Sequence, residues 1–292
     1  MSTQFFLNVL QDAALLLIIA SSFAPIYYIT KFINISHAVT IALGSYCALL
    51  FTRTLHFPLL LALPVAVLMA TLFGVASEIF VYKRLRKLDV SPSSQLIASI
   101  GLYVVCQNCI SLVFGDQSQR LNQGDIQLGY LFFGGYISPI AIVTVIASGL
   151  IFLVLLFFTS RTRLGLVIRA VSDNKELSGI YGVDPDNAIL VAYLVGSAVG
   201  AIAGILFAID TSLYPTMGFN LLLFGLSAMI IGGVGSYRGL IGGTLVIVLM
   251  RHLSGYYLDA KWMDAVAYSI LLLFLIWKPY GFSGNRLRKI EV

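Results

Sequence analysis

The sequence has 292 residues, of which 59% are hydrophobic and only 11% are charged. A soluble globular chain carries about 25% charged residues, so the composition excludes that class and predicts a polytopic helical membrane protein. The net charge of +5 does not indicate nucleic-acid binding, because basic residues beside membrane spans follow the positive-inside rule. We therefore expect the lipid bilayer, and no nucleic acid, among the partners.

Nine apolar segments are candidate membrane spans, where a complete span needs roughly 17–25 residues. Two of them are short for a full crossing, and short or broken helices are common in membrane transporters. The sequence predicts an all-α polytopic bundle of about 8–10 spans, forming a single domain over residues 1–292. The segments are 9–30, 38–51, 59–82, 94–114, 139–159, 188–208, 219–233, 239–256 and 264–278, and the short ones are 38–51 and 219–233.

A polar cluster stands at the start of the first short segment, with Asn34, Ser36 and His37 before or beside it. Polar groups at membrane depth are costly unless they face water, a ligand or a partner. These side chains either line a cavity or form an ordinary interfacial turn. As candidates for a substrate path we take Asn34, His37, Gly44 and Tyr46.

The three cysteines are Cys47, Cys106 and Cys109. Cys106 and Cys109 match a C-x-x-C spacing, but they lie in an apolar segment without the neighbours that a redox or metal site needs. We interpret them as packing residues one helical turn apart, and we predict no metal site.

One polar segment, residues 161–187, interrupts the apolar chain and is called the loop below. Its apolar residues recur at helical spacing, which predicts one or two short amphipathic helices; they are Leu164, Val167, Ile168 and Val171. Asp184-Pro185 is typical of a helix start. The loop is either an ordinary interfacial helix or a rigid peg that inserts into a groove on a soluble partner. Its charged residues are Arg161, Arg163, Arg169, Asp173, Lys175, Glu176, Asp184 and Asp186.

The basic residues predict an orientation. All but four of the 18 Lys and Arg residues share one side if the loop, residues 83–87 and the C-terminal tail 286–289 are cytoplasmic, as the positive-inside rule requires. Nine crossings then place the N-terminus outside, together with a long polar loop at 115–138. The four exceptions are Arg53, Arg120, Arg251 and Lys261.

A glycine-rich stretch occupies residues 232–243. It does not match the dinucleotide-binding pattern G-x-G-x-x-G, because Arg238 stands at the last glycine position and no strand precedes it. Glycine permits either a sharp turn between two helices or close helix packing, and the polar Ser236 and Arg238 favour the turn. Further candidates for the substrate path are Gly232, Gly233, Gly235 and Ser236.

The chain contains no Gly-Lys dipeptide, and hence no phosphate-binding loop of the form G-x-x-x-x-G-K-[ST]. If ATP drives transport, the ATPase must be a separate subunit, and we expect this chain to bind no cofactor and to catalyse no covalent chemistry. An intramembrane enzyme would need a catalytic dyad or a metal cluster at depth, which His37 alone does not supply.

The chain resembles, from about residue 10 to 284, the permease subunits of branched-chain amino acid ABC transporters and the related urea and amide permeases. The motifs are Arg169-Ala170 followed by Gly182-Val-Asp, Pro215 with Gly218-Phe219, and Gly232-Gly-Val-Gly-Ser with Gly239 and Gly242-Gly243. In the N-terminal half the family's Asn-Phe-Ala-His-Gly appears as Asn34-Ile-Ser-His37-Ala38. The loss of that glycine puts a backbone turn there in doubt.

This resemblance implies two quasi-repeated halves with discontinuous helices near the midplane of the membrane. It also implies a bacterial or archaeal cytoplasmic membrane as the location, and three kinds of partner. These are a second homologous permease subunit, two cytoplasmic ATPase subunits, and an extracytoplasmic substrate-binding protein. It assigns coupling to the ATPase to the loop, where the candidate residues are Arg169, Ala170, Asp173, Glu176, Ser178 and Gly182.

The sequence thus predicts the permease subunit of an ATP-driven importer for small amino acids, branched-chain or similarly hydrophobic, or for amides. The alternative is an ATP-independent channel or secondary carrier for small polar solutes. That alternative predicts flux without nucleotide and leaves the loop without a strong partner.

Overall fold

The computed structural model describes residues 3–121, 129–132, 134–278 and 281–283. Seven helices in these ranges are long and apolar enough to cross a membrane, which confirms the predicted polytopic helical bundle. In chain order the helices are α1 (Thr3–Thr30), α2 (His37–Arg53), α3 (Leu59–Ser77), α4 (Lys83–Lys87), α5 (Pro92–Phe114), α6 (Pro139–Arg161), α7 (Arg163–Asp173), α8 (Lys175–Ile180), α9 (Pro185–Asp210), α10 (Met217–Gly232), α11 (Tyr237–Tyr257) and α12 (Met263–Trp277). A π-helical turn, Glu78–Tyr82, joins α3 to α4, and a 3₁₀ turn, Ala260–Trp262, precedes α12.

The two short predicted segments are the helices α2 and α10, of 17 and 16 residues. At 1.5 Å per residue each is about 25 Å long, which is less than the roughly 30 Å of a bilayer core. Both helices begin inside the bundle, since His37 and Met217 are almost fully buried. Gly218 of α10 lies directly against Ala38 of α2, so the two N-terminal ends meet in the interior.

Helix α2 packs against its neighbours backbone to backbone. A Cβ atom at Gly204 of α9 would lie 2.0 Å from the carbonyl oxygen of Ile41, and one at Gly218 of α10 would lie 2.1 Å from that of Ala38. Small residues of this kind let membrane helices approach closely. The short helix α2 is therefore held between α9 and α10 with no side chain intervening at these positions.

The bundle has two polar ends, and α1 and α9 run antiparallel between them. At one end Gln11 donates to Asp210 at 2.8 Å. At the other, the Ser172 hydroxyl of α7 donates to the carbonyl of Tyr28 at 2.6 Å. The end at Ser172, which carries residues 161–187, is called the loop end. The end at Gln11 and Asp210 is called the far end. Lys31 and Lys83 also lie at the loop end, in contact with Ser172 and Asp186.

The segment 115–138, predicted as a long polar loop, contains a small antiparallel hairpin. Its strands are β1 (Tyr130–Phe132) and β2 (Gly135–Ile137), and the Gln4 side chain bonds the backbone of Tyr136. This hairpin is a local departure from the all-α prediction. Residues 122–128 of the segment lie outside the described residues, as does the basic tail 286–289.

The predicted helix start at Asp184-Pro185 is confirmed. The Asp184 carboxylate accepts hydrogen bonds from the backbone N–H groups of Asp186 and Asn187, at 2.9 and 3.4 Å. We expect Asp184→Ala to lower the free energy of unfolding by about 1 kcal/mol, because it leaves these N–H groups without their acceptor. The midpoint of thermal unfolding in detergent measures this change.

The matched control for that substitution is Asp259→Ala. Asp259 precedes the 3₁₀ turn, and its side chain makes no capping hydrogen bond. We expect the control to leave the midpoint unchanged. An equal decrease in both variants would show that the loss comes from removing a charge and not from the cap.

Candidate functional site: the loop and the core beneath it

The loop forms two short helices, α7 and α8, as predicted. Ile168 and Val171 of α7 are buried against the bundle, and Val167 packs beside them. Leu164 shares the helical spacing of these residues but is half exposed. The reason is Gly165, where an added Cβ would lie 2.3 Å from the Phe158 carbonyl oxygen, so that the first turn of α7 contacts α6 through glycine and Leu164 points away.

Besides Leu164 and Leu166 of α7, three large apolar side chains on α8 and at its end are exposed, and the sequence reasoning missed these three. The exposed fractions are 48% for Leu177, 82% for Ile180 and 79% for Tyr181. They are called the apolar knob below. Their spacing of three and four positions places them on one face of α8 and its last turn, a signal that the sequence did contain. A group of neighbouring exposed apolar side chains often marks an interaction site, whereas a single exposed apolar residue usually does not.

Charged residues surround the apolar knob. Of the predicted coupling residues, five are exposed and one is buried: Arg169, Ala170, Asp173, Glu176 and Gly182 are exposed, and Ser178 is buried. Ser178 donates to the carbonyl of Asn174 at 2.7 Å, so it holds α8 together and does not face outward. Gly182 has a φ of 80°, which favours glycine, and it ends the knob with a turn.

Lys31 joins the loop to the end of α1. Its ammonium donates to Ser172 at 2.9 Å and lies 4.6 Å from the centre of the Tyr28 ring. Burial lowers the pKa of the Lys31 ammonium, and the Asp173 carboxylate opposes this shift. These contacts fix α7 to the end of α1.

A cluster of acidic and basic side chains, partly exposed at Lys83 and Asp186 and buried at Glu78, joins the loop to α4 and to the π-helical turn. Both terminal nitrogens of Arg86 contact the Glu78 carboxylate, whose side chain is 1% exposed. Asp186, in the first turn of α9, lies 3.5 Å from Arg86 and 3.5 Å from Lys83. Asp186, which belongs both to the loop and to the first turn of α9, is therefore paired with two residues of α4.

The polar cluster predicted before α2 is a closed network in the interior. Asn34 donates to the Tyr193 hydroxyl at 3.2 Å and accepts from Ser36 and Tyr82 at 2.8 and 2.9 Å. His37 lies 3.0 Å from the Ser22 hydroxyl. Asn34 and His37 are thus buried and hydrogen-bonded inside the chain, and their place on a substrate path stays a prediction.

The two networks meet at the π-helical turn. Glu78 begins this turn and Tyr82 ends it, so the ion pair and the Asn34 network lie on one short segment. A single π-helical turn inside an α-helix often occurs at a functional site. Polar contacts thus run from Asp186 of the loop to Glu78 at the start of this turn, and from Tyr82 at its end to Asn34 before α2.

The other predicted path residues divide into packed and open positions. Gly44 packs on α9, where an added Cβ would lie 2.7 Å from the Ala201 carbonyl oxygen. Tyr46 is fully buried against Phe114, with the ring centres 4.8 Å apart. Gly235 and Ser236 line a cavity at the loop end. The structure therefore does not bring the eight predicted residues together at one surface.

The glycine-rich stretch is a turn between α10 and α11, as predicted. Gly233 and Gly235 have φ values of 98° and 86°, which favour glycine. Close packing also occurs here, because an added Cβ at Gly232 would lie 2.3 Å from the Gly239 carbonyl oxygen. The turn brings the end of α10 and the start of α11 beside Tyr28 of α1.

Cys106 is partly buried and Cys109 is exposed on α5, and both are free thiols, as is Cys47. The described residues contain no group of three or more His, Cys, Asp or Glu side chains that could hold a metal ion.

The amino-acid sequence matches one family model over nearly the whole chain, including the loop and the glycine-rich turn. The family model is that of the branched-chain amino acid transport system permease component, and it matches residues 5–275. The chain belongs to this permease family. It is accordingly a multi-pass membrane transport protein.

Individual relatives agree with this permease assignment. The high-affinity branched-chain amino acid transport system permease protein LivH of Escherichia coli K12 is 27% identical, with 92% of this chain and 91% of that protein covered. The probable branched-chain amino acid transport permease protein LivM of Methanocaldococcus jannaschii is 28% identical over 46% of this chain and 44% of that protein. A solved structure, PsaBC from Streptococcus pneumoniae in complex with Fab, has the same fold, with a TM-score of 0.51, 15% identity, and 99% and 95% of the chains covered.

Proposed function

We propose that this permease is the membrane-spanning subunit of an ATP-driven importer, and that separate ATPase subunits bind its loop end. The proposed cargo is a small amino acid, branched-chain or similarly hydrophobic, or an amide. The names of the relatives support this class of cargo. A second permease subunit of the same family would complete the membrane part, and a substrate-binding protein would deliver the cargo at the far end.

The observation that carries the ATPase proposal is the apolar knob. The side chains of Leu177, Ile180 and Tyr181 are exposed on α8 and at its end, and the exposed acids Asp173 and Glu176 stand just before them in the chain. An apolar centre with a polar rim is the usual anatomy of a protein interface. A groove on a soluble subunit would bury these side chains, and the loop end would then be cytoplasmic.

The proposed coupling route follows the contacts beneath the loop. A movement of the knob displaces α7 and the start of α9, and Asp186 transmits it to Arg86 and Lys83. The turn at Glu78–Tyr82 then carries it through Tyr82 to the start of α2. The helices α2 and α10 begin in the interior and pack on each other, so a shift of one can open or close access to a site between them. Discontinuous helices form the central substrate sites of many transporters. We therefore propose the substrate path along α2 and the α10–α11 turn.

We expect Ile180→Asp to weaken the binding of the ATPase subunits by at least about 30-fold, since a buried interface anchor contributes 2 kcal/mol or more. Gly182→Pro is expected to have a similar effect, because proline cannot adopt a φ of 80°. Arg169→Glu reverses one exposed charge and is expected to reduce binding as well. Co-purification of the ATPase subunits with the tagged permease measures each effect.

The matched control is Leu258→Asp, which places the same carboxylate at an exposed leucine of the far end. We expect full co-purification with this variant. If all three loop variants retained the ATPase subunits as well as the control does, the docking role of the loop would be refuted.

A further inference from the structure

A cavity of about 220 Å³ lies between α7 and the bundle, at the loop end. Its floor is apolar and comes from three helices, through Ala24 of α1, Leu156 of α6, and Met229 of α10. An apolar cavity of about 150 Å³ holds benzene, so this one has room for a somewhat larger apolar group. The coupling network described above does not use it.

The rim of the cavity is cationic and rich in donors. The Arg169 guanidinium lies at the rim, and its hydrogen bond to the Ser160 carbonyl is long, at 3.5 Å. The Ser236 hydroxyl accepts from the Gly239 N–H, which leaves its own hydrogen free to donate. None of the lining residues is acidic, and a guanidinium with free N–H groups matches a carboxylate.

We propose that this cavity binds a small carboxylate with an apolar tail, and that its occupation slows transport. The tail fills the floor between α1 and α6, and the carboxylate meets Arg169 and Ser236. A bound molecule holds α7, together with the attached α1, against Tyr237 and Leu240 of α11, so the loop cannot follow the ATPase subunits. The inference rests on the proposed coupling role of the loop, and for an amino acid cargo it makes the released molecule on the loop side a product inhibitor.

Binding is tested first on the purified full-length permease in detergent, without ATPase subunits. The probe is radiolabelled 4-methylpentanoate, the carboxylate with the carbon skeleton of leucine, and isopentylamine is the competitor without a carboxylate. We expect saturable binding that unlabelled 4-methylpentanoate displaces and isopentylamine does not. Ala24→Leu fills the floor and is expected to reduce binding at least tenfold, and Leu156→Phe is a second variant with the same expected effect.

The matched control is Ala265→Leu, which adds the same atoms on an exposed face of α12 and is expected to bind normally. The proposal is overturned if wild-type permease does not bind the probe, if the amine competes equally well, or if both filled variants bind as the control does. Probe binding that requires added anionic lipid, and that unlabelled 4-methylpentanoate does not displace, would belong to the lipid and not to this cavity. This result would equally overturn the proposal.

The effect on transport is measured in vesicles that contain the complete transporter. With 4-methylpentanoate on the loop side, we expect the initial rate of ATP-driven uptake to fall at least about fivefold, the lower end of typical coupling between two sites. Ala24→Leu is expected to keep its uptake without inhibition. If the wild type shows normal ATP-driven uptake that 4-methylpentanoate does not inhibit, only the inhibition proposal is overturned. If no ATP-driven uptake occurs at all, the proposed function is refuted, and the binding measurement in detergent still decides whether the cavity binds the probe.

Discussion

Replacing Arg86 with methionine is expected to lower the free energy of unfolding by about 3–5 kcal/mol, since it removes one partner of a buried ion pair. Glu78 would keep its carboxylate at 1% exposure without the guanidinium that now contacts both of its oxygens. A loss of this size is a large part of the 5–15 kcal/mol that typically stabilises a domain. The yield of folded protein and the midpoint of thermal unfolding in detergent measure it.

Two further variants separate the buried pair from a simple loss of charge. Arg84→Met removes an exposed cation two positions away and is expected to change the midpoint little. The double variant Glu78→Leu with Arg86→Met removes both charges and is expected to recover most of the stability, because apolar replacements of buried pairs are often neutral or stabilising. If Arg86→Met were as stable as Arg84→Met, the pair would not hold α3 and α4 in place.

Gly218→Val is expected to prevent normal packing of the two short helices. The Cβ atom at position 218 would lie 2.1 Å from the carbonyl oxygen of Ala38, and a backbone atom cannot move aside as a flexible side chain can. Overpacking of a core costs typically 1–3 kcal/mol, and here it falls at the contact between the ends of α2 and α10. We expect both thermal stability and transport to fall.

The control for this substitution is Gly149→Val in α6. An added Cβ there has no heavy atom within 4 Å among the described residues, so the same side chain enters open space. We expect wild-type stability and uptake for this control. Equal losses in both variants would mean that valine in a helix, and not the contact between α2 and α10, causes the defect.

Local patterns in the sequence predicted the local features of the fold. The two short segments, the two helices of the loop, the cap at Asp184 and the turn at residues 233–236 each depend on a few neighbouring residues. Helical spacing, an Asx-Pro pair and clustered glycines encode such features directly. The family motifs then predicted the permease class, which the match over residues 5–275 shows.

The contacts of the candidate site depend on groups that are distant in sequence. Asn34 and Tyr193 are hydrogen-bonded across 159 positions, and no pattern within either segment indicates this pairing. Glu78 and Arg86 are eight positions apart, beyond the spacing of three or four at which helix neighbours are expected. The apolar knob was predictable from the helical spacing of its three side chains.

ATP-driven uptake of leucine by the complete transporter in vesicles tests the central claim most directly, with the loop end facing the compartment that holds nucleotide. The account predicts accumulation against a gradient with ATP, none without it, and none with Ile180→Asp, while Leu258→Asp accumulates leucine normally. Equal flux with and without nucleotide, unaffected by Ile180→Asp, would contradict the account and would identify a channel or secondary carrier.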